Sequence, residues 1–401
     1  MKRQKIAIIS DQICGGIGGA ESILFKAIDL YPDAPVYTTI YNPEIIPEKY
    51  KNTNFRTSFI QKLPIAKKYY KIYFPLMPLS LELLNLQEYD ILFSSHHSVA
   101  KGIIPRPDAV HICYCHSPAR YIWDLFWTYS KLNNFNPVKK FLVAAICQYL
   151  RIWDVVTANR VDLFLANSNY TAARIKKFWN KNSIVLFPPV DTEKFNHEGT
   201  EDYYLMAGRL VSYKGYDLAV DAFNESGKKL VIIGDGTEYK KLKKKANRNV
   251  QILGNVSDEV LVKHMNNCKG FVFPGQEDFG IVMAEAQAAG KPVIAFNKGG
   301  ACDIVINNET GILFEEQTVE SLNEAINKAE SRDWDHKKIS ENSKRFDKKT
   351  FSAKLKYIIE NAHIFKQENS IVLDKDARNI SELLSKCSEE INNAGVEQIK
   401  N

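Results

Sequence analysis

Long uninterrupted apolar runs are missing from this 401-residue sequence. No stretch reaches the ~18 apolar residues that a membrane span requires. The apolar core near the N-terminus, Ile6 to Ile9, runs into Asp11, which predicts a first β-strand rather than a signal peptide. Cysteine is sparse and shows no pairing pattern: seven residues, an odd number, at unrelated spacings. That excludes a disulfide framework and predicts a reduced, cytoplasmic setting. Cys113 and Cys115 alternate within an apolar strand, so both side chains fall on one face as core packing, with no partners for a metal site. Dense Lys/Arg runs are lacking too. The net charge of +6 fits an anionic ligand or a membrane surface, without the clustering expected of a nucleic-acid binder.

What is present is the composition of a soluble globular protein, 45% hydrophobic and 25% charged, long enough for two domains and an appendage. Short apolar runs at Ile6–Ser10, Val36–Ile40, Asp90–Ser94, Val110–Cys115, Asp162–Asn167 and Ile184–Phe187 read as strands, most of them separated by helical stretches. Pro188-Pro-Val-Asp191 then breaks regular structure, and the theme repeats at Tyr203–Ala207, Leu230–Gly234, Val250–Leu253, Gly270–Pro274, Pro292–Ala295 and Ile312–Phe314. Such alternation predicts parallel sheets with crossover helices. The expected division is an N-terminal domain over 1–190, a C-terminal domain over 191–365 whose last helix crosses back, and a tail over 366–401. In the tail, Ile380, Leu383, Leu384, Cys387 and Ile391 keep amphipathic helical spacing.

Chemistry concentrates at predicted strand ends, where open parallel sheets bind ligands. Gly275-Gln-Glu-Asp-Phe-Gly280 follows one strand and opens a helix carrying Glu285, about two turns beyond Glu277. Carboxylates there are good acceptors for sugar and ribose hydroxyls, so the block predicts a nucleotide-sugar site. Arg209 and Lys214, in Gly208-Arg-Leu-Val-Ser-Tyr-Lys-Gly215, are two cations able to neutralise a diphosphate. Gly234-Asp-Gly-Thr237 is a tight turn expected under a nucleotide base. In the N-terminal half, the glycines of Asp11-Gln-Ile-Cys-Gly-Gly-Ile-Gly-Gly-Ala-Glu21 allow close backbone approach to a phosphate or sugar, or form a plain turn. His116 and Arg120 end another strand, with His96 and His97 as weaker candidates at a third. Between 62 and 78, Lys62, Lys67, Lys68 and Lys71 interleave with Tyr69, Tyr70, Tyr73 and Phe74. That pattern suits an anionic bilayer surface, or a surface helix whose aromatics cover the core.

Glu277 and Glu285 with seven residues between them, Phe279-Gly280 among these and Gly290-Lys-Pro292 after, resemble the signature of the retaining family 4 glycosyltransferases. The segment His116-Ser-Pro-Ala-Arg-Tyr-Ile-Trp-Asp124, followed by Arg151-Ile-Trp-Asp154, Arg160-Val-Asp162 and Asn167-Ser-Asn169, resembles the bacterial O-antigen mannosyltransferase subgroup. The resemblance spans about Ile6 to Ile364 and implies a GT-B fold: two Rossmann-like, doubly wound α/β domains facing each other across a cleft. It further implies transfer of a hexosyl residue, mannose from GDP-mannose, onto a lipid-linked or oligosaccharide acceptor in bacterial surface polysaccharide (O-antigen or capsule) synthesis. No metal or other cofactor is implied, and no Asp-x-Asp pair is placed to hold one.

Carried onto this sequence, the resemblance makes Arg209, Lys214, Glu277 and His116 the catalytic set. Gly18, Gly19, Arg120, Gly234, Asp235, Asp278, Phe279, Gly280, Ile281, Val282 and Glu285 become the substrate-binding residues. Partners are the nucleotide sugar, a lipid-linked glycan and a membrane surface met through 62–78, with no nucleic acid; the place of work is the cytoplasm or the inner face of its membrane. Three other readings stay open: a UDP-sugar donor, a nucleotide-sugar 2-epimerase that needs no acceptor, and a non-catalytic partner in a glycan-assembly complex.

Overall fold

The computed structural model describes residues 4–16, 18–127 and 136–366. They divide into two compact units. The first takes the described residues up to Asn167, then Thr171–Leu186 and those from Ser352 onward; the second takes Ser168–Tyr170 and Phe187–Phe351.

The first unit is built on a seven-stranded sheet: β1 Ile6–Ser10, β2 Val36–Thr38, β3 Phe55–Thr57, β4 Ile91–His96, β5 Val110–Cys115, β6 Leu163–Ala166 and β7 Ile184–Val185. Its order is β3-β2-β1-β4-β5-β6-β7, with every pair parallel. Strands buried on both faces explain the short, nearly continuous apolar runs. Cys113 and Cys115 share a cluster with Phe164 and Trp179, on one face as their alternation predicts. β3 has no apolar run to announce it. It is an edge strand with one neighbour, held by Arg56, whose Nη1 donates to Tyr37 Oη at 2.7 Å.

Residues 59–82 do not form the continuous surface helix that their pattern allows. They fold as short turns, Phe59–Lys62, Ala66–Tyr69, Tyr70–Leu76 and Met77–Glu82. Pro64, Pro75 and Pro78 each remove a backbone donor and interrupt a longer helix. Tyr70, Tyr73 and Phe74 pack on the core, while Tyr69 points to solvent. Helix Pro137–Thr157 starts at Asn136, whose side chain accepts from Lys139 N. Counted to Arg160, with a mean hydropathy of 1.4, it is long and apolar enough to cross a membrane by length and composition, although no unbroken apolar run of that length is present. Only a third of its apolar window is buried.

The second unit carries β8 Tyr204–Ala207, β9 Leu230–Ile233, β10 Val250–Gly254, β11 Gly270–Phe273, β12 Val293–Phe296 and β13 Gly311–Phe314, in the order β10-β9-β8-β11-β12-β13. Alternate residues serve two cores. Leu205, Val231 and Phe271 face one, and Met206, Ile232 and Val272 the other. In each sheet the chain reverses its direction of growth at one place, between β1 and β4 and between β8 and β11. Crevices at the carboxyl ends of strands form at such switch points. Helix Lys348–Glu360 begins in the second unit, and from Ser352 it clusters with the first, as the expected crossing back requires. The amphipathic pattern around Ile380 to Ile391 lies outside the described residues.

Candidate functional site

At the switch point of the second sheet, β8 runs out into Gly208 and Arg209, and β11 into Gly275 and Glu277. The two loops meet: Lys214 Nζ lies 2.9 Å from Glu277 Oε1, with both side chains mostly shielded. Their closeness depends on missing side chains. A Cβ on Gly275 would stand 2.5 Å from the Lys214 Cα, and one on Gly208 would stand 3.0 Å from Lys214 Nζ. Arg209 is exposed beside this pair and donates through Nη2 to Tyr213 Oη at 3.3 Å.

Gly280 adopts φ +93° and caps helix Ile281–Ala288, a conformation that only glycine takes without strain. The backbone N–H groups of Ile281 and Val282 open this helix, so the loop from Glu277 ends in hydrogen-bond donors. Asp278 is half-buried in the same loop. The Phe279 side chain instead belongs to the core, 5.7 Å from the Phe187 ring and 5.3 Å from the Phe346 ring, so only its backbone can serve a ligand.

Glu285 is half-buried on helix Ile281–Ala288, with a different charged neighbourhood from Glu277. Burial pushes its carboxyl up to about 7; Lys194 opposes the rise, while Asp258 and Asp191 add to it. Lys194 and Asp258 are paired at 2.6 Å and line a pocket of about 400 Å³ with Glu198, Val262 and Asn266. Gly234 and Asp235 form a turn that buttresses the β8 loop. Gly234 N donates to Gly254 O at 2.8 Å, and Leu210 N donates to Asp235 O at 2.9 Å.

Sequence reasoning missed the loop after β12. Gly300 N donates to Glu277 O at 2.9 Å, and a Cβ on Gly299 would stand 2.3 Å from that same oxygen, so Asn297-Lys-Gly-Gly300 supports the glutamate loop from below. The glycine pair at a strand end was the available signal. Tyr216, fully buried, was missed as well. Its phenol is pushed well above its ordinary range by burial and then by Glu277.

The first unit has a comparable junction between β1 and β4. Asp11 is fully buried and accepts from the N–H groups of His97 at 2.6 Å, Ser98 at 3.1 Å, Val99 at 2.5 Å and Ala100 at 2.6 Å. His97 Nδ1 lies 2.8 Å from Asp11 Oδ2. Burial opposes ionisation of Asp11, but His97 outweighs it and holds the carboxyl well below the usual range; Asp11 in turn raises His97 against its own burial. His96 is fully buried and pushed down to about 4, which leaves His97 as the imidazole that carries charge.

His116 follows β5 and meets Ser95 Oγ through Nε2 at 2.9 Å. Burial, with His97 next, pushes it down to about 3. It is therefore a neutral hydrogen-bonding group. The loop from His116 to Asp124 is clamped by Arg174, another residue the sequence did not mark. Its Nη2 donates to Asp124 Oδ1 at 2.9 Å and to Pro118 O at 3.1 Å, its Nη1 to Asp124 Oδ2, and its Nε to Ser117 Oγ at 3.2 Å. Arg120, half-buried in this loop, adds its charge to the pull of Arg174 on Asp124. Gly18 and Gly19 open helix Gly19–Leu30, where Gly18 N donates to Glu21 Oε2 at 2.9 Å. The structure thus brings Lys214 to Glu277, and Asp11 to His97, while Glu285 keeps company with Lys194, Asp191 and Asp258.

Residues 189–346 match the family model of glycosyl transferases group 1. The chain is 32% identical over 193 residues to an uncharacterised glycosyltransferase of Methanocaldococcus jannaschii, covering 47% of this chain and 55% of that one. It is 31% identical over 198 residues to a GDP-mannose-dependent α-(1-6)-phosphatidylinositol monomannoside mannosyltransferase of Mycobacterium tuberculosis, covering 41% and 51%. The chain spans about half the length of these curated relatives. In fold it is similar to a sucrose-phosphate synthase of Thermosynechococcus elongatus, at a TM-score of 0.67 and 16% identity over 90% of this chain and 100% of that one. It is also similar to the Anabaena protein HepE in complex with UDP and glucose, at a TM-score of 0.63 and 18% identity over 89% and 100%. The matched stretch runs from near the boundary of the two units through Lys214, Glu277 and Glu285; residues 189–346 belong to the glycosyl transferases group 1, the GT4 family, and the two parallel α/β sheets have the GT-B fold.

Proposed function

We propose that this chain is a retaining glycosyltransferase that moves mannose from GDP-mannose onto a lipid-linked or oligosaccharide acceptor in bacterial surface-polysaccharide synthesis. The observation that carries the reading is the Lys214–Glu277 pair at the β8/β11 switch point. When the bond between sugar and nucleoside diphosphate breaks, negative charge grows on the leaving phosphate. Lys214 and Arg209 are the cations to meet it, and pre-placed charge of this kind contributes several kcal/mol to a transition state. Glu277 keeps the ammonium at the sheet edge and, with the backbone donors after Gly280, orients the sugar hydroxyls. Glu285 accepts from the ribose, and the turn at Gly234 and Asp235 supports the base. In the first unit, neutral His116 with Arg120, Gly18 and Gly19 serves the sugar and acceptor side. A metal ion has no part in this scheme.

Support for mannose comes from relatives: besides the mycobacterial enzyme, an O-antigen chain mannosyltransferase C of Escherichia coli is 25% identical over 214 residues. HepE with bound UDP favours the second reading, a UDP-sugar donor on the same machinery. Thermal shifts with GDP-mannose, UDP-glucose and UDP-N-acetylglucosamine separate the two. At ligand ~100 times its dissociation constant the gain is about 2.7 kcal/mol, a readily measured rise in melting temperature. GDP-mannose gives the largest shift, and mass spectrometry finds one added hexose on a lipid-linked acceptor. A larger shift and sole product with a UDP-sugar overturns the mannosyl reading, and an epimer formed from donor alone overturns transfer itself.

A further inference from the structure

Helix Pro137–Thr157 presents an apolar face that the described residues of the first unit do not cover. Val138, Leu142, Ala145, Tyr149, Ile152 and Val156, alternately four and three residues apart, are all exposed and form one stripe along it. Phe141, 74% exposed, and Ile146 widen the stripe.

The opposite face is bolted to the unit. Asp154, buried there, meets Lys101 Nζ at 2.8 Å, Trp123 Nε1 at 2.8 Å and Trp179 Nε1 at 2.7 Å. Lys101 is itself fully buried and also donates to Thr157 Oγ1 at 2.8 Å. To cross a bilayer the helix would have to break this network and leave a buried lysine without its counter-charge, a large penalty. It can therefore offer its free face to an apolar medium only while lying flat.

The surface continues onto residues 59–83. Phe74 packs in the cores beneath both segments, and Trp153 Nε1 donates to Glu82 Oε1 at 3.1 Å. Here too large apolar side chains stand free: Ile65 at 64%, Ile72 at 65% and Leu83 at 65% exposed. Around them the charge has one sign. Residues 59–83 hold Lys62, Lys67, Lys68 and Lys71, and the helix holds Lys139, Lys140 and Arg151. The carboxylates of these two segments are Glu82, paired with Arg160 at 2.7 Å, and the buried Asp154.

We propose that this double surface docks the chain onto an anionic lipid bilayer, with helix Pro137–Thr157 lying in the interface plane and the lysines meeting lipid headgroups. A second copy fits less well. Pairing across this face would gather two sets of lysines from residues 59–83 within about a Debye length of ~8–10 Å, while the carboxylates of the two segments, Glu82 and Asp154, are already paired with Arg160 and Lys101. An anionic bilayer accepts both the apolar stripe and the charge. The inference needs no glycosyl transfer and can fail or hold independently of it.

The test is co-sedimentation of the full chain with phosphatidylcholine vesicles, with and without phosphatidylglycerol. Binding appears with the anionic vesicles and is lost with phosphatidylcholine alone. The triple variant Lys67→Ala, Lys68→Ala, Lys71→Ala weakens it by about a hundred-fold. The variant Phe141→Ser, Leu142→Ser, Ile152→Ser, all at exposed positions, keeps its melting temperature and loses roughly ten-fold or more. Wild-type tryptophan fluorescence needs no variant. Trp127, exposed and 4.6 Å from Lys140 Nζ, is quenched by lipids brominated near the headgroup more than by those brominated at the chain ends. Absent binding, binding untouched by both variants, or a dimer in vesicle-free solution that the Phe141 variant dissociates would each overturn the proposal.

Discussion

The ammonium of Lys214 lies 2.9 Å from Oε1 of Glu277, joining the loops after β8 and β11 where the order of the second sheet reverses. The first unit joins the loops after β1 and β4 in the same way, with Asp11 and His97. In both, a carboxylate from one strand end holds a cation from another, so the position of each charge is set by the sheet and not by a flexible side chain alone.

On the proposed reading, replacing Lys214 with alanine removes a cation that faces the leaving phosphate. Turnover falls by about ten-fold or more, while the melting temperature stays within about 5 °C because Glu277 can recover hydration. Steady-state kinetics on the folded variant checks this, and unchanged turnover removes Lys214 from the site.

Glu285→Gln should move stability and ligand affinity in opposite directions. The carboxyl rises from 4.5 to about 7 on folding. Between those values the folded state holds a proton that the unfolded state has released, so its stability falls as pH rises through the window and levels off above it. The variant lacks this penalty. Its apparent gain is about 1–2 kcal/mol at pH 8, after screening at a half-buried position, and close to nothing at pH 4. On the proposed reading, affinity for the nucleotide sugar falls, because a glutamine would make weaker hydrogen bonds to the ribose hydroxyls. Melting curves at both pH values and calorimetry at pH 8 report the two effects; equal donor affinity in both proteins means that Glu285 faces elsewhere.

The Asp11–His97 pair sets a pH window in the first unit. His97 is raised in the folded state, so its contribution is complete below about 6.5 and is lost as pH rises through its folded value. Asp11 is depressed, so its contribution is complete above about 3.8 and is lost as pH falls toward its folded value. His97→Gln flattens the alkaline side of the stability profile and leaves part of the acid side, since Asp11 keeps its four backbone donors. An alkaline limb identical to wild type would show that the imidazolium contributes nothing.

Arg174→Lys is not a conservative change. A lysine cannot reproduce the two-pronged contact with Asp124 while also holding Ser117 and Pro118. We expect a loss of about 2–4 kcal/mol in urea unfolding of the first unit. Asp124→Asn, which keeps some hydrogen bonds, costs less. The reverse order of the two losses would show that the loop from His116 to Asp124 is held by something other than this guanidinium.

The sequence by itself determined every strand but β3, and the alternation that predicts parallel sheets in two parts. Strands buried on both faces must be short, apolar and bounded by turn residues, and these runs stand out at Ile6, Val110, Leu230 and Gly270. It also marked Lys214 and Glu277, because glycines, prolines and charged residues gather where a strand ends and a helix begins. Only the tertiary structure decided which of these groups meet. Lys214 and Glu277 are 63 positions apart, and Asp11 and His97 are 86 apart, so no local pattern encodes either pair. Arg174 and the Gly299–Gly300 support escaped notice for the same reason: each acts on a loop that is distant in sequence. The helix from Pro137 shows the limit most directly. Its apolar periodicity is plain in the sequence, but which side the protein covers depends on Asp154 finding Lys101, Trp123 and Trp179 in folded space, and that choice left Phe141 and Ile152 facing outward.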